Sequence, residues 1–247
     1  GALVAMVYAP YGRTGVYMIQ DYCRRLGIGT SPDEIADLVA SLREIPVGHP
    51  LSHLLRDTPD FHDPDALADA LLHPRDRSYS VPEVFEFLEG AGLQFGRWAR
   101  QAPYLPTCGS ISEVPHSTTI ASLPVRDQYA ALELYRGTMT RHSFVAHRSD
   151  HDRREPSFDG DSWQSYVPVK PPTVISVEQR LPPGAAAALL NRAHEFRDLV
   201  MFIGEADKAV FDAIDGECTM GEIADNPELF RRLYDHDLIV IDASAPD

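Results

Sequence analysis

At 247 residues, 44% hydrophobic and 24% charged, the chain is long enough for one large or two small globular domains with a sizeable core. The formal charge of −15 opposes binding to a nucleic acid backbone, which is held by Lys and Arg, and no apolar run approaches the ~20 residues that span a bilayer. Cys23, Cys108 and Cys218 are odd in number and far apart, so neither a disulfide framework nor a zinc knuckle is indicated, and a reducing cytoplasm is the expected compartment.

The opening ALVAMVYAP is apolar and partly β-branched, the pattern of a fully buried central strand. It has no basic n-region or cleavage site of a secretory signal. A buried parallel strand needs flanking strands, so a further N-terminal portion is expected before Gly1. A turn over Pro10–Gly15 leads to a helix striped by Val16, Ile19, Cys23 and Leu26. Ser31-Pro32-Asp33-Glu34 is a capping box opening a second helix with Ile35, Leu38, Val39 and Leu42 on one face. Residues 46–62 are rich in Pro and His and predict irregular chain with a helical turn near Leu51. A short helix is predicted over Asp65–Leu72.

The segment LLHPRDRSYSVPEVFEFLEGAGLQFGRW organises the rest. Ser80 and Glu83 make a second capping box. Val81, Val84, Phe85 and Leu88 form one apolar face, and Leu93–Phe95 alternates as a strand. A helix returning at once into a strand predicts an α/β unit against a sheet. Residues 99–123, with Pro103, Pro106 and Pro115, predict a long irregular loop, a length usually functional or mobile. Val125–Tyr135 is helical, and Arg141–His147 alternates as an exposed-edge strand would.

Residues 149–162 form a charged linker without apolar period, which separates residues 1–148 from a small domain over 163–247. In that domain Trp163–Val169 and Val174–Val177 are expected to pair as strands, and Ala185–Ala193 to be helical. Helices follow over Asp207–Ile214, from the capping box Thr219–Glu222, and around Leu229 and Leu233. A final strand covers Leu238–Ile241. Three short helices and a strand predict a winged-helix-like α+β unit.

GALVAMVYAPYGRTGVY resembles the strand-five region of class I S-adenosylmethionine-dependent methyltransferases, and SVPEVFEFLEGAGLQF is similar to their late helix and sixth strand. RHSFVAHR would then be the seventh strand, antiparallel between the fifth and sixth. LLHPRDRSYSVPE and IDGECTMGEIA…LFRRLYDHDLIVID resemble a bacterial subgroup with a C-terminal regulatory-type domain. The resemblance implies an α/β fold: the late strands of a partial Rossmann-like sheet with a helical insertion, plus the small C-terminal domain. It implies methyl transfer from S-adenosylmethionine. The family's glycine-rich loop after strand one and acidic end of strand two are not in this sequence. Gly27-Ile28-Gly29 follows a helix and cannot replace that loop, so the cofactor half is expected upstream.

The acceptor pocket that the resemblance implies would be shaped by Tyr11, Arg13, Tyr17, His73, Arg77 and Tyr79. Arg13 and Arg77 could clamp a carboxylate or phosphate, and His73 could act as a base. Each has a plainer alternative. Arg75-Asp76-Arg77 reads as a local salt-bridge turn, His73 as a helix-terminus residue, and the tyrosines as packing residues. Gly12-Arg13-Thr14-Gly15 reads as a plain turn sooner than a phosphate cradle. His147, Asp150, His151, Asp152 and Glu155 read as solvated linker, not a metal site. Three functions fit: a methyltransferase part acting on a small molecule or protein, a protein-binding or regulatory module, and an unrelated α/β hydrolase or nucleotide enzyme.

Overall fold

The computed structural model describes residues 1–57, 63–148, 150 and 156–243. Strand β1 (Ala2–Tyr8) leads through a turn into helix α1 (Thr14–Leu26), followed by α2 (Pro32–Arg43), α3 (Ser52–Asp57) and α4 (Pro64–Leu72). The apolar stripes that predicted these helices meet in one core of Val16, Ile19, Leu38, Leu51, Leu67 and Leu71. Glycines allow the close approach. Gly15 lies against the backbone of Leu51, and Gly12 against the backbone of Thr138 and Met139, so a Cβ at either would collide with main chain. The predicted capping box at Ser31 is present, with Glu34 accepting from the Ser31 amide at 3.2 Å.

Helix α5 (Val81–Gly90) turns at once into β2 (Leu93–Trp98), as its pattern predicts. At its start the Ser80 amide donates to Glu83 at 2.8 Å. Helices α6 (Ser117–Ala121) and α7 (Val125–Arg136) precede β3 (Arg141–Arg148). The sheet order is β1-β3-β2, with β3 antiparallel to both neighbours, so β1 and β2 run parallel on either side of it. A bulge between Phe95 and Arg97 bends β2. Trp98, Phe144, Val84, Leu88 and Tyr129 fill the second core, and Tyr104 stacks on Trp98 with ring centroids 4.2 Å apart.

Among the described residues β1 is covered on one side by β3, while Leu3, Val4 and Met6 remain exposed. Its apolar sequence is real, but among the described residues only a single bridge, Ser78 to Tyr8, touches its other side. Strand β3, whose alternation suggested an edge, is central, and Phe144 and Ala146 are wholly buried. That is the place the resemblance gives it. Residues 99–123, expected as a long irregular loop, carry two 3₁₀ turns and the short helix α6, and Ala102, Tyr104, Cys108 and Ile111 are buried.

A third core, around Trp163, Leu189, Met201, Phe230 and Leu233, holds the C-terminal part. Here β4 (Val167–Val169) pairs with β8 (Val240–Asp242), while β5 (Val174–Val177), β6 (Ala187–Asn191) and β7 (Val200–Ile203) make an antiparallel sheet. The expected helix over Ala185–Ala193 is therefore strand β6. Its alanines favour a helix, but as the middle strand it is buried on both faces, which overrides propensity. The strands expected to pair with each other take different partners instead. Helices α8 (Glu205–Asp212), α9 (Met220–Ile223) and α10 (Pro227–Asp235) lie where predicted, and the Thr219–Glu222 capping box is present.

Candidate functional site

Segment 73–80 leaves α4 and crosses the C-terminal end of β1, where the Tyr79 amide donates to the Tyr8 carbonyl at 2.8 Å. This crossing closes a concavity of about 400 Å³ against β1, the turn before α1 and the end of α4. Ends of parallel strands in open α/β sheets are where such folds bind ligands. Four of the six residues expected at a pocket, Arg13, His73, Arg77 and Tyr79, line it together with Tyr8 and Asp76. Sequence reading had no means to select Tyr8, because it ends a strand that looked buried.

Arg13 anchors the floor. Its side chain is 8% exposed, its Nη2 donates to Asp76 at 3.1 Å, and its guanidinium lies 3.6 Å from the Tyr8 ring centroid. Its Nε is buried without a partner among the described residues. Asp76 also accepts from Gln20 Nε2 at 2.8 Å. The Arg75-Asp76-Arg77 run is thus not a local salt-bridge turn: its carboxylate reaches back across 63 residues. Arg77 is 67% exposed, stands 4.6 Å over Tyr79 and meets Glu83 only at 3.8 Å. Its head remains available to an anion.

His73 caps the end of α4, and its Nδ1 accepts from the Arg75 amide at 3.1 Å. With Nδ1 accepting there, Nε2 is the ring nitrogen that can donate. The helix-terminus reading of His73 fits this geometry. Tyr17 lies beside Arg13, 5.8 Å from its guanidinium, and burial pushes its hydroxyl pKa up while Arg13 and Ser78 pull it back. Tyr11 is exposed and lies outside the concavity, its carbonyl taken by the Thr14 hydroxyl at 2.7 Å.

Gly12 and Gly15 of the turn after β1 are spent on backbone packing, so the plain-turn reading of that segment fits the geometry. The described residues contain no group of three or more His, Cys, Asp or Glu placed to hold a metal. His147 is buried in the sheet and Asp150 pairs with Arg148, while His151, Asp152 and Glu155 lie outside the described residues. The three cysteines are unpaired with one another, and burial pushes the Cys108 thiol up to about 12, which leaves it unreactive.

Two polar networks were invisible in the sequence. In the second core the Tyr104 hydroxyl meets His142 Nδ1 at 2.6 Å, and His142 Nε2 meets Glu133 at 3.0 Å. The other Glu133 oxygen accepts from the Val81 amide at 2.8 Å, at the start of α5. Burial raises the Tyr104 pKa, so this hydroxyl stays protonated and donates. The second network joins the two parts of the chain. Asp237 adopts a left-handed backbone with φ 55° and accepts from Arg97 at 2.9 Å and from the Ala102 amide at 2.9 Å. Asn191 donates to its carbonyl at 2.8 Å. Nearby, Arg136 pairs with Asp198 at 3.2 Å.

No protein-family model matches the chain. Its mixed α/β fold matches part of two solved structures. It is similar to PKMT2 from Rickettsia typhi in complex with AdoHcy, at 12% identity and a TM-score of 0.57, covering 100% of this chain and 53% of that one. It is likewise similar to PKMT2 from Rickettsia typhi alone, at 10% identity and a TM-score of 0.58, covering 100% and 52%. The chain thus spans about half the length of the structures it matches. No helix among the described residues is long and apolar enough to cross a membrane.

Proposed function

We propose that the chain is the acceptor-side and C-terminal part of an S-adenosylmethionine-dependent methyltransferase. The observation that carries this reading is the sheet order β1-β3-β2, with one antiparallel strand between two parallel ones. It belongs to a chain that aligns in full with half of an AdoHcy-bound PKMT2. Residues 1–148 supply the late strands and the acceptor side. Residues 163–247 form an accessory domain, winged-helix-like in its three helices and closing strand.

S-adenosylmethionine, held by residues upstream of this chain, would supply the methyl group for in-line displacement. Acceleration of such a step comes chiefly from fixing the nucleophile in near-attack geometry. The concavity at the end of β1 serves that purpose: Arg77 and Arg75 hold an anionic group of the acceptor, while Tyr8 and Tyr79 flank its body. Arg13, already paired with Asp76, fixes the pocket floor. His73 orients the acceptor as a hydrogen-bond donor.

The test is titration of labelled S-adenosylmethionine against this chain and against an N-terminally extended one. Only the extended protein should bind. Tight binding by the 247 residues alone, or no binding by either, overturns the reading.

A further inference from the structure

A second concavity, of about 240 Å³, lies where the sheet of the first part meets the segment after β6. It is smaller than the ~300–1,000 Å³ usual for drug-sized ligands, so it suits a small metabolite. Tyr104, Met139 and Phe196 supply apolar wall, and Arg100, Arg141 and His194 supply polar groups.

His194 carries the decisive observation. Its side chain is 3% exposed, and its Nε2 faces two acceptors, the His236 carbonyl at 3.4 Å and Asp237 at 3.6 Å. The proton therefore sits on Nε2. Burial lowers the pKa of this imidazole against the opposing pull of Asp237 and the His236 carbonyl, and with the proton on Nε2 the other nitrogen, Nδ1, is a lone pair. That lone pair is buried and has no donor among the described residues. A buried acceptor left unmet is costly, and a ligand donor would satisfy it.

The cationic side is also incompletely used. The guanidinium of Arg100 donates to the Ala99 carbonyl at 3.1 Å, and among the described residues no carboxylate pairs with it. Arg141 meets Glu195 at 3.2 Å in an exposed pair, which a ligand anion can share at little cost.

We propose that this cavity binds a small carboxylic acid bearing a hydroxyl or amino donor beside its carboxylate, with the carboxylate on Arg100 and Arg141 and the donor on His194 Nδ1. The aromatic wall takes the remainder of the molecule. The site is separate from the concavity at the end of β1 and does not depend on the reaction assigned there.

The test is calorimetric titration of two isosteric sets: lactate, alanine and propionate, and their 3-phenyl counterparts. In at least one set a donor-bearing acid should bind roughly tenfold or more tighter than the acid that lacks the donor. Adding that ligand should shift the ¹⁵N resonance of His194 Nδ1. Arg100→Gln should weaken binding at least about tenfold, while the urea unfolding midpoint of the unliganded variant stays that of the parent, which separates loss of the site from loss of fold. The proposal is overturned if no donor-bearing acid binds, if propionate or 3-phenylpropionate binds as well, if the His194 resonance is unmoved, or if Arg100→Gln binds like the parent.

Discussion

At the scale of the residue, Arg13 and Arg77 look equivalent in the sequence and differ physically. Arg13 is a buried cation whose partner is Asp76, and removing one member of such a pair strands the other. Asp76→Ala should lower stability by about 3 kcal/mol in urea unfolding, as a shifted midpoint at unchanged slope. Arg77→Ala should change stability by less than about 0.5 kcal/mol and instead weaken acceptor binding by the extended protein. Asp235 offers a pH test. Burial raises its pKa to about 6 from an ordinary 3.8, with Arg97 and Arg231 opposing the shift. Between those values the folded state holds the proton and the unfolded state does not, so this group makes stability fall as pH rises from about 4 to about 6. Asp235→Asn should remove that loss. The difference between variant and parent should grow across this window, reach on the order of 1 kcal/mol, and stay level above it.

At the scale of the element, the Glu133–His142–Tyr104 chain ties three elements together. It runs from α7 through β3 to the turn that stacks on Trp98, and it also holds the first amide of α5. Glu133→Ala leaves His142 Nε2 and the Val81 amide buried without partners and should cost about 3 kcal/mol, with loss of near-ultraviolet circular dichroism from Trp98 at lower urea. Ser80→Ala, which removes only a cap, should cost about 1 kcal/mol. The difference reflects what was legible. Local signals such as Ser31, Ser80, Thr219 and the apolar stripes located helices well, because their physics acts within one or two turns. Strand β6 was missed because Ala and Leu carry no strand preference and only its neighbours β5 and β7 make it extended. Likewise β3 was assigned to the centre by resemblance and to an edge by alternation, and pairing decided between them.

At the scale of the whole molecule, four of six expected pocket residues converge because segment 73–80 folds over the end of β1, a juxtaposition no local pattern contains. Tyr11 is exposed and does not line that concavity. The same blindness hid Asp237, which lies 140 residues from Arg97 in sequence. That single left-handed residue is gripped from both sides: Arg97 and Ala102 belong to the first part, Asn191 to the last. Covalent continuity between the parts is then not what keeps them together. Co-expressed as two polypeptides, residues 1–148 and 163–247 should co-elute as a stoichiometric complementation pair, and Asp237→Ala should make them travel apart.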